Sequence, residues 1–118
     1  MPAKPYRLTK RAEFLRAASK GRKAAMPGLV LQVLRREDAD SDKPGPARLG
    51  FTVTKKVGNA VIRNRTRRRL KEAARLLLRD QPLTGVDLVL IGRDGTRARP
   101  FTALRQDLAR ALGRLGVS

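Results

Sequence analysis

Residues 59–79 constrain the fold more than any other stretch of this chain. At about 100° per residue, Ile62, Thr66, Leu70, Ala73 and Leu77 fall within about 80° of one another. Asn64, Arg68, Lys71 and Arg75 fall roughly opposite, within about 60°. Arg63 and Arg69 flank the apolar stripe, with Arg65 and Arg67 on its two sides. The pattern requires a long helix with one buried edge, opened by Gly58 and the N-cap candidate Asn59. Gln81-Pro82 and Gly85 end it.

The rest of that helix is cationic. Six of the nine residues from Arg63 to Lys71 are basic and none is acidic. Glu72 is the only acid between Lys55 and Arg79, so i,i+4 ion pairs do not balance the charge. The whole chain shows the same bias: 28 Lys and Arg against 10 Asp and Glu in 118 residues, a net charge of +18. Such a field repels itself unless a polyanion is supplied, which points to nucleic acid. Arginine outnumbers lysine in the helix, and its planar fork suits phosphate and base faces of folded RNA. The loop Lys55-Lys56-Val57-Gly58-Asn59 leads to the positive helix N-terminus, another place for a phosphate or sugar oxygen. It lacks the spacing of a P-loop.

Several function classes are disfavoured. Without His or Cys, the chain lacks the commonest general base and the strongest ordinary nucleophile, and no residue is assigned a catalytic role. No thiolate metal site is possible. The four acids of residues 37–46 lack the central glycine and terminal glutamate of a calcium loop, so no metal ligand is assigned there. No apolar run is long enough to span a bilayer, and Met1-Pro2-Ala3-Lys4-Pro5-Tyr6 lacks the apolar segment of a signal peptide. A cytoplasmic protein without a membrane partner is expected.

Around the basic helix the elements follow from periodicity and punctuation. A first helix is expected from Thr9, as N-cap, to Lys20, with Gly21 as its stop. Residues 22–27 form a loop or very short strand, and Leu29-Val30-Leu31-Gln32-Val33-Leu34 a strand. Residues 37–46 read as a solvated hairpin linker. In Arg48-Leu49-Gly50-Phe51-Thr52-Val53-Thr54 the alternation predicts a half-buried strand, Leu49, Phe51 and Val53 facing one way and Gly50, Thr52 and Thr54 the other. Val86-Asp87-Leu88-Val89-Leu90-Ile91 reads as an interior strand, and a last helix runs from about Pro100 to Leu115. The result is one α+β domain over residues 1–118, in the order αβββαβα, with the two long helices on one sheet face and the first helix on the other side.

The stretch Lys55-Lys56-Val57-Gly58-Asn59-Ala60-Val61-Ile62-Arg63-Asn64-Arg65 also resembles the signature of the bacterial ribonuclease P protein family. Arg48-Leu49-Gly50-Phe51, the early Phe14 with Gly21, and the Asp87-Leu88-Val89-Leu90-Ile91 strand fit in order and spacing, so the resemblance spans nearly the whole chain. It implies a fold like the second domain of a ribosomal small-subunit protein, with a left-handed βαβ crossover through the basic helix. It implies a protein partner for a catalytic RNA that removes the 5′ leader of precursor tRNA, with Mg²⁺ as cofactor held mainly by the RNA. Carried onto this chain, Lys55, Lys56, Arg63, Asn64, Arg65, Arg67 and Arg68 bind the RNA subunit. Asn59, Arg69, Lys71 and Arg75 join them from the same loop and helix.

The resemblance further implies a leader-binding cleft between the first helix and the sheet, formed here by Arg11, Phe14, Thr52, Thr54 and Lys56. Phe14 serves there as a stacking platform, a core residue, or both. Ala18 stands where the family often carries a second aromatic, and Gln32 where it often has tyrosine. Stacking contributes about 1–3 kcal/mol per base, so a weaker grip on the leader is expected. Two other readings compete: a ribosomal RNA-binding protein, which would co-sediment with ribosomes, and a DNA-binding regulator. The regulator would need a helix-turn-helix pair and a dimerisation stripe, and neither is evident, so DNA is not an expected partner.

Overall fold

The computed structural model describes residues 6–117. The N-terminal Met1-Pro2-Ala3-Lys4-Pro5, part of the reading on targeting, lies outside the described residues. The elements are β1 (Tyr6–Arg7), α1 (Arg11–Lys20), β2 (Arg22–Ala25), β3 (Leu29–Arg35), β4 (Arg48–Thr52), α2 (Ala60–Asp80), β5 (Val86–Gly92) and α3 (Phe101–Arg114). This is the expected α+β order with a two-residue strand added in front. Short 3₁₀ turns occupy Glu37–Asp40 and Lys55–Val57.

The sheet runs β1-β4-β5-β3-β2. β5 is central, parallel to β4 and antiparallel to β3. Its near-continuous apolar run matches this place, since residues 86–90 are all buried. α2 joins the adjacent parallel strands β4 and β5. On one face α2 and α3 enclose the main core, built around Leu29, Leu31, Leu70, Leu88, Leu90, Leu104, Leu108 and Leu112. On the other, α1 packs over Leu8 and Val89 through Ala17 and Phe14. With few aromatics, the core is close-packed leucine, as the composition requires.

Four local expectations are corrected. Thr9 does not cap α1. Lys10 is the N-cap residue, and Glu13 reaches back so that its Oε1 accepts from the amides of Lys10 (2.9 Å) and Thr9 (3.2 Å). A carboxylate in the first turn also complements the helix dipole, which a threonine hydroxyl does not.

The segment 37–46 is not a hairpin linker. β3 and β4 are separated by β5, so the segment carries the chain across the end of β5. Nor is it merely solvated. Asp38 accepts from Arg36 (3.0 Å) and from the Gly45 amide (2.8 Å), and Arg36 donates to the Gly45 and Pro46 carbonyls at 3.0 and 3.1 Å.

β4 stops at Thr52 rather than Thr54. On its second face Phe14 lies directly over Gly50, while Thr52 stays half-exposed. A Cβ at Gly50 would stand 2.6 Å from Phe14 Cε1, so glycine lets the ring approach the backbone. Alternation alone does not reveal a small residue used for close packing.

Candidate nucleic-acid interface

The basic helix is set by its first turn. Asn59 Oδ1 accepts from the Ile62 amide at 3.0 Å, making Asn59 the N-cap. Gly58 has φ 153°, and a Cβ there would meet Ile62 Cγ2 at 2.9 Å, so the residue before the cap is restricted to glycine. Thr66, Leu70, Ala73 and Ala74 bury the inner edge. The predicted stripe is therefore the observed one, except that Ile62 and Leu77 are half-buried.

This seating divides the cations. Asn64, Arg65 and Arg68 are exposed on the outer edge, with Lys55 and Lys56 exposed on the preceding turn. Asn64 Oδ1 accepts from Arg67 at 3.1 Å, which orients both side chains. Arg63, Arg67, Arg69 and Lys71 lie half-buried on the shoulders. Arg69 turns into the protein: it donates to the Arg99 carbonyl, and its guanidinium stands 5.8 Å from the centre of the Phe101 ring. Arg75 is different again, because Glu72 takes its Nε at 3.0 Å and neutralises it. Among the described residues, Arg65 and Arg68 have no ion pair.

Two cations outside the motif join this surface. Arg7, on β1, places its guanidinium 5.1 Å from the centre of the Phe51 ring. Burial lowers the Lys71 pKa, and the charges of Arg7, Arg67 and Arg68 lower it further. A lysine so placed lies in a positive field that an anion would relieve. On the other shoulder, Arg97 in the turn between β5 and α3 borders one surface depression with Ile62, Arg65, Arg68 and Arg69. Neither was singled out from the sequence. The one signal for Arg97 is three arginines within Arg93-Asp94-Gly95-Thr96-Arg97-Ala98-Arg99.

The second predicted surface lies across the sheet. The β-ladder puts Ala25, Val30, Ile91 and Thr52 in one row, and Lys23, Gln32, Val89 and Gly50 in the next. α1 covers the second row through Phe14 and Ala17 and leaves Val30, Ile91 and Thr52 half-exposed. At helical spacing Arg11 and Ala18 flank Phe14 on one shoulder of α1, while Glu13, Arg16 and Lys20 lie on the other. Arg16 and Lys20 line a groove with Arg35, Arg48 and Asp87, so the Arg11 shoulder borders the Thr52 row. Phe14, through Gly50, and Thr52 thus share one sheet face, with Arg11 exposed on the adjoining shoulder of α1. Thr54 and Lys56, both exposed, extend this strip of sheet past the end of β4 toward α2. Phe14 is half-buried, consistent with both a packing and a stacking role.

Comparison with known proteins decides the family. The ribonuclease P family model matches residues 1–116. The chain belongs to the ribonuclease P protein family. It is 65% identical to the ribonuclease P protein component of Gluconacetobacter diazotrophicus over 117 residues, covering 99% of this chain and 97% of that one. With the component from Paramagnetospirillum magneticum it shares 49%, over 99% of this chain and 87% of the other. Among solved structures, a Staphylococcus aureus RNase P protein superposes with a TM-score of 0.76 at 27% identity, covering 97% and 98% of the two chains. The Thermotoga maritima RNase P protein gives 0.73 at 27%, covering 92% and 96%. These ribonuclease P relatives support the main reading over a ribosomal one, and an RNA partner in a ribonucleoprotein follows from the family.

Proposed function

We propose that this chain is the protein subunit of a ribonuclease P, binding the catalytic RNA through α2 and the 5′ leader of precursor tRNA through the strip beside α1. The observation that carries the first half is the outer edge of α2, where Asn64, Arg65 and Arg68 stand exposed with no acid beside the two arginines. Each phosphate they neutralise releases counterions, so assembly falls steeply with salt. The Phe14–Gly50 packing supports the second half. It holds an aromatic edge against a half-exposed row in which Thr52 offers a hydroxyl to a base or sugar. Thr54 and Lys56, exposed in the chain between β4 and α2, fit a leader that runs from the cleft toward the RNA subunit.

In this reading the RNA performs the phosphodiester hydrolysis and the protein screens the repulsion between two RNAs. Mg²⁺ is assigned to the RNA. Among the described residues no three Asp or Glu side chains converge to hold an ion. The compartment proposed is the cytoplasm, where a ribonuclease P would meet precursor tRNA; among the described residues no helix is long and apolar enough to cross a membrane.

Reconstitution tests the reading. The protein is combined with a bacterial ribonuclease P RNA at low Mg²⁺, and 5′ maturation of a precursor tRNA is followed. Cleavage that requires the RNA and is stimulated by the protein is the expected result. Persistent RNA binding without stimulation would leave a general RNA-binding protein.

A further inference from the structure

Beyond the far shoulder of α1, Leu34, Asp87 and Arg48 form the next row of the ladder. Two open hollows adjoin there and share Lys20, Leu34 and Arg35, so they make one groove. The groove lies where β5 begins, whereas Thr66 of α2 packs on Gly92 at its end, roughly 20 Å away on the opposite sheet face. It is therefore a different surface from the exposed edge of α2.

Most charges of the groove are already matched. Arg36 and Arg48 take up Asp38, Asp87 and Glu13, and Arg35 pairs with the exposed Asp40. Arg22 Nη1 donates to the Leu115 carbonyl at 3.2 Å. The side chains of Arg16 and Lys20 are exposed and have no hydrogen bond or ion pair among the described residues. Lys23 is in the same state, and its register with Gln32 places it on the face that α1 covers. Of the carboxylates lining the groove only Glu37 lacks a cation partner. Three free cations thus outnumber one free acid. Among the described residues no aromatic ring lines the groove, so it suits phosphates rather than stacked bases.

The strip beside α1 leads to these cations. Its row of Thr52, Ile91, Val30 and Ala25 spans three strand spacings, roughly 14 Å, and ends on β2 at the sheet edge. Lys23 is the next residue on that face of β2. A strand cannot pass beneath α1 here, because a Cβ on Gly21 would stand 2.7 Å from the Val33 carbonyl and the helix end is closed down on β3. The open way runs outside that turn, past Lys23 and Lys20, into the groove. A leader held in the strip is tethered beside these cations and meets them at high effective concentration. An acidic protein segment has no such tether.

Resting on the leader-binding reading above, we propose that the upstream part of a long leader leaves the strip at Ala25, rounds the turn at Gly21 and lays its phosphates on Lys23, Lys20 and Arg16. Lysines are flexible point charges, so the contact is indifferent to base identity. It is open only to leaders long enough to leave the strip.

The test uses the complex with a bacterial ribonuclease P RNA and two precursor tRNAs, with leaders of about 4 and about 10 nucleotides. Wild type should bind the longer leader about fivefold tighter, the scale of a few exposed charge contacts. Lys20→Ala/Lys23→Ala should bind both alike, and its salt slope on the long leader should fall by about 1.4, the value for two single-strand phosphates. Arg79→Ala/Arg110→Ala removes the same charge from exposed positions on α2 and α3, across the sheet, and should keep the advantage. An advantage that is absent from wild type, kept by the lysine variant, or lost in both variants would overturn the path. Phe14→Leu tests the reading beneath it and should weaken both leaders. If Phe14→Leu binds both as wild type does, the strip is not the leader site.

Discussion

Arg48 and Asp87 stand opposite each other in the parallel β4–β5 ladder, and the guanidinium grips both carboxylate oxygens at 2.7 Å. Asp87 is 1% exposed and also accepts from Arg36 at 3.2 Å, while Arg48 Nη1 reaches Glu13 of α1 at 2.8 Å. One buried carboxylate therefore ties α1, the sheet centre and the segment 37–46 into a single unit.

Removing that carboxylate leaves two arginines without their buried counter-charge. Asp87→Ala should destabilise the fold by about 3–5 kcal/mol, the usual cost of breaking a buried pair from one side. Urea unfolding measures it. A double-mutant cycle with Arg48→Ala should show coupling, since the two residues share a network. A loss below about 1 kcal/mol would mean that the network is not a structural tie.

Asp38 gives the crossing segment a pH dependence. Its hydrogen bonds with Arg36, and then with the Gly45 amide, lower its pKa from the ordinary 3.8 to about 2. A carboxyl lowered in this way stabilises the folded state above 3.8, and the contribution is lost as pH falls toward about 2. Hydrogen exchange at the Gly45 amide should accelerate through that window beyond its intrinsic pH dependence. In Asp38→Ala the amide should already be unprotected at neutral pH.

Arg68 and Arg75 carry the same charge but not the same partners. Arg68→Ala should weaken RNA binding and reduce the salt slope by about 0.7–0.9, the value for one lost phosphate contact. Arg75, held by Glu72, should give a smaller change in both. Binding titrations at several salt concentrations separate the two, and equal losses would show that Glu72 releases Arg75 in the complex.

Gly50→Ala puts a methyl group where Phe14 now lies. Overpacking of this kind costs about 1–3 kcal/mol. It should also displace the aromatic edge of the cleft and lower affinity for a single-stranded leader. Phe14→Leu in the same chain should recover stability but not leader affinity, which thermal melts and leader titrations would distinguish.

By itself, the sequence determined the elements and the face each one buries. The stripe of Thr66, Leu70 and Ala73, the cap at Asn59 and the apolar run of β5 are local patterns, governed by backbone period and neighbouring residues. The Lys55 to Arg68 motif was legible for the same reason: cations excluded from a helix's buried edge fall on its exposed one. The tertiary structure alone decided what crosses between elements. Whether Arg75 is neutralised while Arg65 and Arg68 stay unpaired depends on side-chain reach and burial rather than on charge count. That residues 37–46 cross β5 instead of turning a hairpin follows from strand order, which no local signal specifies. Arg7 and Arg97 join the basic surface only because β1 pairs with β4 at the sheet edge and the turn before α3 borders the same depression as α2, placements decided between residues far apart in the chain.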